Sequence, residues 1–374
     1  MKFDEFKLER YFSRYEFNTE YLLSSSDCET ISRENLLAMA DEKGKKKWKK
    51  LKLGYTETKG DYSLREEIAK LYQNIDPEDV IVLAPAEGIF ITLNTLLEEG
   101  DHVIVMFPAY QSLYEIPQGL NCEVTRWPVK LREDGWSLDL DFLEEEIKDT
   151  TKMVVTNFPH NPTGFLPDSK DYQRLMDIVK ENDLYLFSDE MYKFSEYNAD
   201  DRLLSPGDTY YNGISLSGLS KSFGLPGLRI GWLFSKNREI LDEIIKFKDY
   251  TTICSSAPSE VLAYIALRSK EKILTRNMEI IKDNLKAARK FFADYNEIFN
   301  WIEPQAGPIA FPELQADLTV NRFCQDIVKK KNVMLLPGNV FEVKGNYFRL
   351  GLGRKNFKEG LQRVREYVEE KFSI

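Results

Sequence analysis

Between Val80 and Phe234 short apolar runs alternate with longer segments of helical periodicity, and no other feature of the chain narrows its fold as much. Val80–Leu83, His102–Met106, Lys152–Thr156, Leu184–Ser188, Ile214–Leu216 and Arg229–Phe234 read as strands. A segment opening at Ala84 and running to about Leu97, and another from Leu138 to Ile147, carry helix periodicity. Such alternation implies a mostly parallel sheet covered by helices on both faces. Ligands then bind at the loops leaving the carboxyl ends of the strands. The chemistry of this chain is therefore expected in those loops.

The loop after Ile214–Leu216 is the richest of them. In Ser217–Trp232 a lysine, Lys221, sits among serines and glycines, and Arg229 follows eight residues later. A lysine desolvated among small residues becomes a nucleophilic amine. An arginine fork beside close-approaching backbone suits a phosphate. Amine plus phosphate cradle fits pyridoxal phosphate, an aldehyde with a phosphate handle. Two other loops add to the pattern: Asn157-Phe158-Pro159-His160-Asn161-Pro162-Thr163-Gly164, and Asp189-Glu190-Met191-Tyr192 at the end of the next strand. An acid buried at a strand end needs a cationic partner.

These motifs, in this order and spacing, resemble the fold-type I class I/II aminotransferases, from roughly Tyr55 to the C-terminus and most densely between Asn157 and Trp232. The resemblance implies a pyridoxal 5'-phosphate enzyme that moves an amino group between a 2-amino acid and a 2-oxo acid. It makes Lys221 the Schiff-base lysine, Arg229 and Ser220 phosphate ligands, and Asp189 the partner of the pyridine nitrogen. Tyr192 takes the place of the family's cofactor-site tyrosine three residues after that acid, and the Asn161 amide falls on the cofactor's phenolic oxygen and beside the substrate. The amides of Ala86 and Glu87, at a helix start, fall on the phosphate, and Tyr110 on the pyridine face, where a core tyrosine would read the same way. Tyr55, in Gly54–Gly60, takes the place of a tyrosine lent to the partner subunit's phosphate, which implies a homodimer. Arg349, in the apolar run Tyr347–Gly351, takes the place of the arginine that binds the substrate carboxylate, an internal salt bridge being the alternative and Arg354 the competing candidate. Two positions depart from the family pattern: Gly218 stands where many relatives have serine, and Pro85 where glycine is usual.

Lyases and cyclases that share this scaffold and its cofactor residues remain an alternative outcome, and a non-catalytic cofactor-binding module a remote one. The resemblance also implies the architecture: an α/β large domain, 45–270, with a mostly parallel seven-stranded sheet sandwiched by helices, and a smaller α+β domain from both termini, 1–44 and 271–374. The run Glu271–Tyr295, free of Pro and Gly, is long enough to bridge them.

Composition excludes other classes. Fifty-one basic against sixty-one acidic residues give a net charge of −10, which argues against nucleic-acid binding. Two histidines and four scattered cysteines leave no pattern for a metal site or a disulfide frame. Met1–Tyr15 has no apolar signal core and no run approaches a membrane span, so a cytoplasmic protein is expected. The basic run Gly44–Lys50 reads as a solvated loop or helix end.

Overall fold

The computed structural model describes residues 2–133 and 135–373. Its centre is a seven-stranded sheet. The strands are β1 (Val80–Leu83), β2 (His102–Phe107), β3 (Glu123–Pro128), β4 (Thr151–Asn157), β5 (Tyr185–Asp189), β6 (Gly213–Gly218) and β7 (Gly231–Phe234). Their spatial order is β1-β7-β6-β5-β4-β2-β3, and only β7 runs against its neighbours. Six of these strands are the expected apolar runs. The seventh, β3, is an edge strand in which Glu123, Thr125 and Arg126 break the apolar pattern, so it carries little sequence signal. β7 also begins later than expected, because Arg229 has a left-handed backbone, φ 54°.

Alternate residues of each strand face opposite layers. Val103 and Val105 pack with Ile89 and Leu93 of the helix Pro85–Leu96 and with Ile240 and Ile244 of the helix Arg238–Lys248. Ile104 and Met106 face the other way, onto Leu175 and Val179 of the helix Ser169–Glu181. Val80, Val82 and Trp232 share that opposite side with the helices Tyr62–Ala69 and Ala257–Arg268. Burial on both faces explains why most of the strands read as continuous apolar runs.

The helix Arg33–Ala38 is capped by Ser32, whose Oγ accepts from the Asn35 amide at 3.2 Å. The lysine cluster is not a loop. It lies on a complete helix, Glu42–Lys50, capped by Asp41 and tied down by Lys47 to Asp61 at 2.9 Å. The 25-residue helix Lys270–Asp294 places Ile273 in the core with Val80 and Trp232. Further along, its Ile281, Leu285 and Phe292 join a separate core with Leu23, Phe323, Phe348 and Val364. That second core is roofed by a three-stranded antiparallel sheet of Ile309–Ala310, Phe348–Gly351 and Leu336–Pro337. No helix among the described residues is long and apolar enough to cross a membrane.

Candidate active site

The carboxyl ends of β4, β5 and β6 open on one cavity of about 400 Å³. Lys221, Asp189, Tyr192, Asn161, Tyr110, Arg229, Ser220, Ala86 and Arg349 all line it, although they come from well-separated segments. Of the residues expected at the site, Glu87 and Tyr55 do not. The Glu87 carboxylate accepts from Thr251 and Thr252 hydroxyls at 2.6 and 2.7 Å. Tyr55 is 91% exposed and borders a different hollow, with Lys47, Asp61 and Glu260.

One corner of the cavity is built for an anion. The helix Pro85–Leu96 starts there with no side-chain cap, and Pro85 occupies its first turn. The amides of Ala86 and Glu87 therefore have no acceptor within the helix, and the dipole adds to their pull on negative charge. Ser220 Oγ is buried without any hydrogen-bond partner, an orphan that a phosphate oxygen would satisfy. Arg229 donates only to the Pro226 carbonyl, at 3.2 Å. Its left-handed backbone is costly for a non-glycine residue, and such strain gathers where a side chain must be aimed. Beside this corner Lys221 Nζ donates to Ser26 Oγ at 2.9 Å and to no carboxylate among the described residues.

Asp189 ends β5 in register with Asn157 on β4. Asn157 Nδ2 donates to the Asp189 carbonyl at 2.8 Å, and Asn157 Oδ1 accepts from the Asn161 amide at 2.8 Å, so one side chain sets both. The Asp189 carboxylate accepts from the Met191 amide at 3.1 Å and has no cationic partner within ion-pair distance among the described residues. Burial pushes its pKa up to about 6. His160 is fully occupied: Nδ1 bonds Thr163 Oγ1 and Nε2 bonds the Pro108 carbonyl, both at 2.7 Å. Burial lowers its pKa to about 4, so the neutral ring pins the loop of Tyr110 to that of Asn161.

Arg349 forms the opposite wall. It is 1% exposed, and its Nε and Nη2 donate to the Ser24 carbonyl at 3.1 and 2.8 Å. Nη1 donates to Asn161 Oδ1 at 3.0 Å. No carboxylate lies within 4.0 Å among the described residues, so the internal salt bridge considered from sequence is not what it makes. Arg354, the competing candidate, is instead the one that is paired, to Asp27 at 2.9 Å with 15% of its side chain exposed.

The N-terminal segment closes the cavity, and sequence reasoning missed it. Leu8, Glu9, Phe12, Glu16, Ser26 and Asp27 all line the space. The segment is held from afar, by Ser24 to Arg349 and by a close approach in which a Cβ on Gly351 would lie 2.0 Å from the Ser25 carbonyl. The amphipathic pattern of Lys7–Tyr15 was the only available signal.

The two departures from pattern meet in space. A Cβ on Gly218 would fall 3.2 Å from Pro85 Cγ and 2.9 Å from the Gly231 Cα. A side chain at 218 would be crowded first by the backbone of Gly231 and Ile230 and then by the proline ring.

A sequence model described as aminotransferase class I and II matches residues 21–364. The chain is similar to an aspartate aminotransferase of Sulfurisphaera tokodaii, at 30% identity over 84% of this chain and 82% of that one. Among solved structures it is similar to a PLP-dependent aminotransferase from Streptococcus suis, with a TM-score of 0.92, 30% identity and 99% of each chain covered. It is also similar to a PLP-dependent cyclase, OrfR, with a TM-score of 0.91, 27% identity and 99% and 98% covered.

Proposed function

This chain belongs to the class I and II aminotransferases, which are pyridoxal-phosphate enzymes, and on that premise we propose that it transfers an amino group from a 2-amino acid to a 2-oxo acid through Lys221. The observation that carries the reading is the shared cavity. It brings together an amine without a carboxylate partner among the described residues and an orphaned hydroxyl after β6, a buried acid at the end of β5, and an uncapped helix start after β1.

In this reading Lys221 Nζ holds the cofactor covalently. Ser220, Arg229 and the amides of Ala86 and Glu87 hold its phosphate. Asp189 would keep the pyridine nitrogen positive, Tyr110 would lie against the ring, Asn161 would serve its phenolic oxygen, and Tyr192 would stand beside them. When bound, pyridoxal phosphate supplies an electron sink for charge developing at the substrate Cα. Lys221 would then serve as the general base for the Cα proton. Arg349 grips the substrate carboxylate, because it retains N–H groups beyond the three that are used. Mixing the purified holoenzyme with amino donors tests the reading. The cofactor's visible absorbance should be lost and a stoichiometric 2-oxo acid should appear. Ammonia without retention of the amino group on the protein would sink it. The similarity to the cyclase favours one second reading, in which the same residues serve ring closure; a product that keeps its nitrogen and shows no 2-oxo acid would select it.

We further propose a cytoplasmic homodimer in which Tyr55 reaches the partner's phosphate, since in its own chain it borders a different hollow. Sedimentation at micromolar concentration tests the dimer, and a monomer there would refute it. The division into 45–270 and 1–44 with 271–374 is proposed on the two separate cores that the long helix joins, with the exception that Leu36, Ala40 and Ile273 pack into the core of the larger unit.

Asp189 gives a pH test. Its folded pKa, about 6, lies above the ordinary 3.8, so between those values the folded protein keeps a proton that the unfolded chain has lost. Cofactor-free protein should therefore lose stability relative to Asp189→Asn as pH rises from about 4 to 6, with the full deficit above 6. Loading the cofactor should remove the deficit, because the pyridinium then pairs with the carboxylate. Melting temperatures of both proteins across that range check this; parallel curves would mean that the acid has another partner.

A further inference from the structure

The cavity has one wall whose chemistry the cofactor does not use. The N-terminal segment contributes Glu9, Glu16 and Asp27 to its lining, together with the apolar Leu8 and Phe12. The three carboxylates differ in what they already hold. Asp27 is neutralised by Arg354 at 2.9 Å. Glu9 accepts a single hydrogen bond from the Tyr110 hydroxyl at 3.2 Å. Glu16 has neither an ion-pair nor a hydrogen-bond partner among the described residues. Burial first, then Asp27 and Glu9, push its carboxyl pKa upward, while Arg354 and Lys221 offset part of that rise, so it lies within reach of charges of both signs.

An acidic wall alone would say little. Its meaning comes from the second observation, the buried Arg349 fork with no carboxylate of its own. A ligand that brings a carboxylate to Arg349 must send its other end elsewhere in the cavity, whose N-terminal lining offers Leu8, Phe12 and the carboxylates of Glu9 and Glu16. We infer that the amino acid handled here carries a positively charged side chain, an ammonium or guanidinium, read by Glu16 and Glu9 while its methylenes lie against Leu8 and Phe12. The inference rests on Arg349 as the carboxylate anchor. It also implies that a dicarboxylic amino acid is a poor substrate, since its side-chain carboxylate would be forced against Glu9 and Glu16 without a counter-ion.

The test measures binding of acids that lack an α-amine, so that it does not depend on turnover. Calorimetry on the holoenzyme compares 5-guanidinopentanoate with hexanoate, its uncharged-tail counterpart, and with glutarate, which is charged at both ends. The guanidino acid should bind about tenfold or more tightly than hexanoate, and glutarate more weakly than either. Glu16→Gln should cancel most of the guanidino acid's advantage and leave hexanoate unchanged, and Glu9→Gln should cancel part of it. Glutarate binding as tightly as the guanidino acid, no binding of the guanidino acid, or an advantage that survives both substitutions would each overturn the inference. Failure of the underlying anchor looks different: hexanoate would then bind Arg349→Ala as well as it binds the parent protein. With the preference established, lysine, ornithine and arginine as donors tell ammonium from guanidinium.

Discussion

Replacing Lys221 with alanine should lower transamination by about four orders of magnitude, the upper end of what a positioned acid–base group contributes, while the protein still retains the cofactor. The separation follows from the layout of the cavity. The groups proposed to hold the phosphate, Ser220, Arg229 and the helix start at Pro85, lie in other segments or point elsewhere than the Lys221 amine. The lost side chain leaves Ser26 without its donor but removes no packing from the sheet. Absorbance after dialysis measures retention, and kcat/KM with the best donor measures the loss. In the parent protein, borohydride should fix the cofactor to the peptide containing Lys221; label on another lysine would reassign the centre. The same variant reports on Tyr55. If that residue acts across a dimer, mixing Tyr55→Phe with Lys221→Ala should restore activity, because some heterodimer sites carry neither lesion. No restoration after demonstrated subunit exchange would count against it.

Arg349→Ala should cost about 3–5 kcal/mol in kcat/KM, the range for truncating one partner of a buried charge pair, with the cofactor spectrum unchanged. Two effects add. The substrate carboxylate loses its fork, and the Ser24 carbonyl and Asn161 Oδ1 lose their donors. Arg349→Lys should recover little, since one ammonium cannot satisfy Ser24, Asn161 and a carboxylate together. Thermal melting separates the structural share: a Tm close to that of the parent protein assigns the loss to substrate binding. Parent kcat/KM in Arg349→Ala would place the carboxylate elsewhere.

Much of this architecture is legible in the sequence because its signals are local. An apolar run buried on both faces announces a strand, and Asn161-Pro162-Thr163-Gly164, Asp189 and Lys221 each lie within a few residues of a strand end. The edge strand Glu123–Pro128 lacks the apolar run and so escapes notice. The N-terminal wall escapes for a different reason. Glu9, Glu16 and Asp27 look like ordinary surface charges, and only contacts more than three hundred residues apart in sequence, such as Arg349 with Ser24 or Arg354 with Asp27, bring them to the site. No short window holds that information. The lysine cluster shows the converse: its charges are plain in the sequence, but its helix depends on the Asp41 cap and the Asp61 ion pair.

The proline ring resting over Gly218 ties positions 85 and 218 together as an epistatic pair. Serine introduced at 218 alone meets the ring and the Gly231 backbone; glycine introduced at 85 alone empties the space the ring fills and loosens the start of the phosphate-facing helix. Neither single step toward the commoner family pattern is open without a loss of packing. An engineer who wishes to graft the usual serine into this site must therefore relax the Gly231 backbone, the nearest obstacle, as well as change position 85.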